Sequence, residues 1–129
     1  MAQVKIFGLA HSLNPIKKKL SDSIHSCIVE ALNFPPEKRF HRFFPMQPED
    51  FSFPDDRSEQ YILIEISMME GRTVETKKRL IRLLFERVGA ELGIAFADIE
   101  ITIYESPKCN WGFRGQTGDE IALNYKVEI

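Results

Sequence analysis

Laid against itself so that Ile16 meets Thr76, the chain repeats its own pattern of apolar positions without a gap from Val4 through Phe44. Ile16, Lys17, Lys18, Lys19 and Leu20 fall on Thr76, Lys77, Lys78, Arg79 and Leu80. Ile24 falls on Leu84, Ile28 on Val88, Leu32 on Leu92 and Phe34 on Ile94. Upstream, Val4 and Ile6 fall on Ile64 and Ile66; downstream, Phe43 and Phe44 fall on Ile103 and Tyr104. Two amphipathic helices matched by chance do not carry that register into the segments on both sides. The chain therefore reads as one unit duplicated. The pseudo-repeats span 2–48 and 62–108, with a tail over 109–129, all in a single domain.

Each half reads strand, helix, strand. The β-rich run 4–9 opens the first. Ile16, Leu20, Ile24, Cys27, Ile28, Ala31 and Leu32 then recur at helical spacing over 14–32. Asn14 followed by Pro15 is a start signal, an N-cap side chain before a proline at the first helical position. Asn33 and the pair Pro35, Pro36 end the helix, and 40–46 is the second strand. In the second half, 61–69 alternates, with Ile62, Ile64, Ile66 and Met68 on one face. Val74, Leu80, Ile81, Leu84, Val88 and Leu92 stripe a helix over 73–92, capped by Thr73 and stopped by Gly93. The strand 99–105 follows. Residues 45–60, with three prolines and five acidic residues, join the halves and are too long for a tight hairpin. The tail runs through a turn region between Gly112 and Gly118 into a short strand over 125–129.

Two such units predict an α+β fold: a four-stranded sheet with both helices on one face. The other face is left uncovered. Tyr61 and Leu63 oppose Ile62 and Ile64, and Phe43 and Phe44 are adjacent, so that face is expected to be apolar and to be covered in a homo-oligomer. Other partners are disfavoured. With 17 basic and 19 acidic residues the net charge is −2, which suits no polyanion, so nucleic acid is not expected. The aromatic run at Phe40, Phe43 and Phe44, beside Arg39 and Arg42, lacks an RNA-binding signature. The basic run Lys77, Lys78, Arg79 reads as a solvated helix face. No apolar run approaches a membrane span and no signal peptide is visible, so a cytoplasmic protein is expected. His11, His25 and His41 have no metal-ligand spacing, and no metal or cofactor is expected. Cys27 reads as a core residue, and with Cys109 makes no disulfide framework.

The element order fits either a ferredoxin-like fold or the tautomerase superfamily. The tail favours the second. The segment Cys109-Asn110-Trp111-Gly112-Phe113 resembles the Trp-x-Phe element near the C-terminus of the malonate semialdehyde decarboxylase-like branch of that superfamily. Gly71-Arg72-Thr73 is similar to that branch's arginine-bearing turn before its second helix. Asp98-Ile99-Glu100-Ile101-Thr102-Ile103 resembles the strand that follows.

This resemblance implies a homotrimer acting on a small carboxylate that bears a neighbouring carbonyl. In the superfamily an N-terminal proline, exposed by removal of the initiator Met, transfers the proton, and arginines hold the carboxylate. Here Ala2 stands in the proline's place. With Met1 removed, its primary amine has an ordinary pKa of about 7.7–8.0, lowered by burial and by a cation such as Arg72. That amine is the candidate catalytic group. It lacks the ring that fixes the direction of a proline nitrogen, so activity is expected to be weak or lost. Arg72, just before a helix start, is the candidate carboxylate holder. Trp111 and Phe113 would wall the pocket, and Lys38 and Arg114 are further candidates for the anion. Two departures argue against water-assisted decarboxylation. Lys38 stands where that branch has a water-activating acid, and only one arginine of its pair, Arg72, is present. The alternative from a different class is a non-catalytic trimer that binds a small anion or serves as an interaction module.

Overall fold

The computed structural model describes residues 2–121 and 125–129. Four strands, β1 (Ala2–Leu9), β2 (His41–Met46), β3 (Ile62–Met69) and β4 (Ile99–Ser106), form one sheet in the order β2-β1-β3-β4. β1 and β2 are parallel, as are β3 and β4, and an antiparallel β1–β3 pair joins them at the centre. Parallel neighbours need a long crossover, supplied by α2 (Lys17–Leu32) and α3 (Val74–Leu92). This is the α+β fold of two β-α-β units that the repeat predicts.

The duplication is visible in the strand register. Ala2 opposes Met68, Gly8 opposes Ile62 and Lys5 opposes Glu65. The displacement of the repeat carries Ala2 onto Ile62 and Gly8 onto Met68, exchanging the first two pairs, and it carries Lys5 onto Glu65. A local two-fold axis therefore passes between Lys5 and Glu65.

Alternation within the strands sends one face beneath the helices. Val4, Ile6, Ile62, Ile64, Ile66 and Met68 are all at or below 2% exposure. Leu20, Ile24 and Ile28 of α2 and Leu80, Leu84 and Val88 of α3 close over them. Thr73 caps α3 by accepting the Thr76 N–H at 3.1 Å. Asn33 and Gly93, at φ 52° and 68°, end α2 and α3 in the left-handed conformation.

Three expectations need correction. The first helix does not begin with an Asn14 cap. The chain turns helical at once in α1 (Ala10–Leu13) and passes through a 3-10 turn at Asn14–Ile16 into α2. Pro15 has no N–H to give to the α-helical ladder, so the backbone tightens there instead of starting there. Residues 125–129 form no strand. They pack against the second unit through side chains and through the Ile129 carbonyl, which accepts from Thr76 Oγ1 at 2.5 Å.

The open sheet face is apolar toward one end, where Leu9 pairs with Met46 and Phe7 with Phe44, and charged beside it. Reading across the registers, Phe44, Phe7, Leu63 and Glu100 make one row; Arg42, Lys5, Glu65 and Thr102 make the next. Phe7 and Phe44 stack at 4.6 Å. The linker covers the Glu100 end. Arg57 and Tyr61 both donate to the Glu100 carboxylate, and Ser58 donates to Asp98 through its N–H and hydroxyl at 2.7 and 2.6 Å.

At the start of β2, His41 Nδ1 lies 2.8 Å from Ser21 Oγ. Burial, reinforced by His25 and then Arg39, pushes the His41 pKa down to about 4. The unfolded chain takes up this proton near pH 6.5 while the folded chain does not, so acid favours unfolding over that window. Stability is expected to fall by about 2 kcal/mol, allowing for partial exposure, as pH drops from about 6.5 to about 4. Below that this component levels off. Urea unfolding of wild type and His41→Asn across the window checks it, because the variant should lack that part of the slope.

Candidate functional site

One end of the sheet collects the start of β1, the start of β2 and the ends of β3 and β4, because β1 and β2 run against β3 and β4. Ala2 therefore lies across from Met68, and the turn after Met69 brings Arg72 to the same end. That turn depends on Gly71, at φ 137°, where an added Cβ would meet Val127 Cγ1 at 2.9 Å. The turn and the Thr73 cap together send the Arg72 side chain inward.

Arg72 is 5% exposed. Its Nη1 donates to the Met69 carbonyl at 3.2 Å. Its Nε and Nη2 are buried and donate to nothing among the described residues. Those two N–H groups share one edge of the guanidinium plane, the edge that meets both oxygens of a carboxylate. Burial lowers the Arg72 pKa, opposed by Tyr125, Glu105 and Glu128; a guanidinium so displaced is still a cation at neutral pH. Glu105 does not close on it as a direct partner; it is held by Lys77 Nζ at 2.7 Å.

Trp111 and Phe113 pack with Tyr125 around the buried pair Met69 and Val127. The Trp111 indole N–H is likewise buried and without an acceptor among the described residues. Its place is set by Gly118, whose N–H donates to the Trp111 carbonyl at 2.7 Å. An added Cβ there would collide with the Lys108 carbonyl. Phe113 opens a two-residue hairpin, β5 (Gly112–Phe113) with β6 (Gln116–Thr117). Its turn residues Arg114 and Gly115, at φ 53° and 75°, have the left-handed pair that such a turn requires.

The other candidates sort by distance from this cluster. Half-buried Lys38 places its Nζ 5.2 Å from the centre of the Tyr125 ring. Arg114 is exposed, with its guanidinium 5.6 Å from the centre of the Phe113 ring. Ala2, 3% exposed, sits in the main core with Phe34, whose ring meets Tyr125 edge to face at 4.9 Å. Arg72, Trp111, Phe113 and Lys38 are thus gathered around Tyr125 and Met69, with Ala2 on the core side and Arg114 on the solvent side. Tyr125 and Val127 are not among the candidate site residues that the sequence offers; it places them only in a short strand over 125–129. Among the described residues no group of three or more His, Cys, Asp or Glu side chains could hold a metal ion. Nor is any of their helices long and apolar enough to cross a membrane.

Comparison with known proteins gives a common answer. A family model described as a tautomerase enzyme matches residues 38–114. A probable tautomerase, YrdN of Bacillus subtilis strain 168, is 32% identical over 101 residues, covering 74% of this chain and 78% of its own. Among solved structures, an FG41 malonate semialdehyde decarboxylase inhibited by 3-bromopropiolate superposes with a TM-score of 0.81 at 26% identity, over 94% of this chain and 98% of that one. A fused 4-OT solved as a symmetric trimer superposes with a TM-score of 0.76 at 20% identity, over 91% and 96%.

Proposed function

Because the chain belongs to the tautomerase family, we propose that it moves a proton between the keto and enol forms of a small carboxylate with a neighbouring carbonyl. The observation that carries this reading is the Nε–Nη2 edge of a buried Arg72, which has no acceptor among the described residues, with the buried Trp111 indole N–H, likewise without one there, packed on the same Met69. Buried donors left unpaired are costly, and a substrate carboxylate with an adjacent oxygen satisfies both. Arg72 takes the carboxylate in two-pronged geometry. The Trp111 N–H donates to the carbonyl oxygen, where negative charge develops as the enolate forms. The Ala2 amine, exposed by removal of Met1, takes the proton from the carbon between carboxylate and carbonyl or beyond it. The electron pair moves onto the oxygen, and the ammonium returns the proton there or at another carbon. Lys38 and Arg114 add positive field for the anion, and Phe113 excludes water.

Ultraviolet absorbance of phenylpyruvate or 2-hydroxymuconate, incubated with protein whose intact mass shows Met1 removed, tests the activity. Ala2→Pro restores a rigid secondary amine, and a proline is tolerated at the first residue of a strand. The rate is expected to rise by at least about tenfold, on the scale of a positioned general base. An unchanged rate with the fold intact places the proton transfer elsewhere. The second reading, a non-catalytic anion binder in the same pocket, is favoured by one observation, the alanine at position 2. It predicts binding of the keto acid without turnover in wild type.

The assembly we propose is a homotrimer, as in the fused 4-OT. The Phe44, Phe7 and Leu63 row is where the three sheets would meet, with the charged row beside it pairing across copies. Sedimentation at micromolar concentration is expected to give three times the chain mass of 14.9 kDa. A stable monomer overturns this.

A further inference from the structure

The local two-fold axis between β1 and β3 gives the Arg72 site a mate at the opposite end of the sheet. The displacement of the repeat relates Ala2 to Ile62, Met69 to Leu9, Arg72 to Ser12 and Phe34 to Ile94. Leu9, Ser12, Ile62 and Ile94 all line one cavity of about 100 Å³, together with Leu13 and Gln60. The position that Arg72 occupies at one end thus belongs at the other to a residue with only a hydroxyl. The position of the candidate amine belongs to a buried isoleucine. Leu9, Leu13, Ile62 and Ile94 are buried, and exposed Gln60 stands at the rim. Among the described residues, no side chain lining the cavity carries a charge.

We propose that this cavity is a second binding site, which takes a small uncharged molecule with an apolar body and one hydrogen-bonding oxygen: a ketone, aldehyde or alcohol of about four or five heavy atoms. Size and chemistry both lead there. An apolar cavity of about 150 Å³ takes benzene, and one water needs only about 10–15 Å³, so about 100 Å³ suits a molecule smaller than benzene. A carboxylate is excluded, because it would be desolvated among mostly apolar side chains with no cation among the described lining residues to meet it. Ser12 donates to the ligand oxygen and the Gln60 carboxamide closes the polar side. The duplicated fold thereby keeps a pocket at each end, one for an anion and one for a neutral molecule. The neutral site rests on its own lining and stands whether or not the Arg72 site turns over a substrate.

The probe is 2-butanone, titrated into the full chain with ¹³C-labelled Ile, Leu and Met methyl groups and followed by NMR. Propionate, similar in size but charged, is the comparison. Butanone is expected to give saturable shifts at Leu13, Ile62 and Ile94, and propionate none there. Ser12→Ala should weaken butanone binding about three- to tenfold, the loss of one hydrogen bond. Gly8→Ala should weaken it about tenfold. Gly8 lines the same cavity, and a Cβ there finds only ordinary contacts, 3.4 Å to Ile62 Cγ2 and to Leu13 Cβ. Its methyl narrows the space without disturbing the strand. Shifts that do not saturate, that persist unchanged in Gly8→Ala, or that propionate reproduces at the same methyls overturn the proposal. Propionate shifts at Met69 report on the Arg72 site, so failure there is separate from failure here.

Discussion

Arg72→Met is expected to weaken binding of a small keto acid by about 1.5–3 kcal/mol, roughly 10–150-fold, while leaving the protein as stable as wild type or more so. The loss follows from the charge-assisted hydrogen bonds of the Nε–Nη2 edge. The retained stability follows from what that edge does without ligand. A residue before a helix start reads as exposed, yet this one is 5% exposed and holds two donors away from water with no acceptor among the described residues. Removing a buried cation that lacks a carboxylate partner relieves its desolvation, and Met keeps most of the apolar stem that packs against the turn. The same substitution should raise the pKa of the Ala2 amine, since a nearby cation disfavours the ammonium form. Calorimetry with a keto acid, a thermal melt and NMR titration of the amine read the three effects on one variant. Binding and amine pKa both equal to wild type would make Arg72 a structural residue and move the pocket elsewhere.

Ile64→Ala is expected to destabilise the protein by about 2–5 kcal/mol. Ile64 is fully buried at the middle of the central strand, opposite Ile6 on β1 and Ile101 on β4. It shares the core with buried residues of both α2 and α3, where a rigid sheet on one side and two helices on the other leave little room to collapse into the cavity. The urea midpoint should fall with an unchanged slope, because the same surface is exposed on unfolding. A loss below about 1 kcal/mol would mean that the helices settle onto the sheet and that the packing is looser than its burial implies.

Much of this fold is legible along the chain because its signals are local or periodic. The helical stripe at Leu80, Leu84 and Val88, the alternation of Ile62, Ile64 and Ile66, the Thr73 cap and the Gly93 stop each act within a few residues. The internal repeat then states that the unit occurs twice, and two β-α-β units leave few arrangements open. Local signals fail where two of them compete, as at Pro15, which marks the inside of a helical run because Ala10–Leu13 had already turned.

The candidate site divides in the same way. Arg72 and Trp111 are found from the chain because they sit in short motifs. Their condition is decided elsewhere. Arg72 is buried because Val127, far along the chain, packs against Gly71, and because strand direction brings the end of β3 beside the tail. The indole N–H of half-buried Trp111 loses water where Trp111, Tyr125 and Val127 pack with Met69. The open face, apolar in expectation, carries the charged row Arg42, Lys5 and Glu65, because only strand pairing fixes which residues lie side by side. Sequence by itself determined which residues are candidates for an anion site and on which elements they lie. Burial and unpaired donors are properties of contacts between distant segments, and those the tertiary structure alone decided.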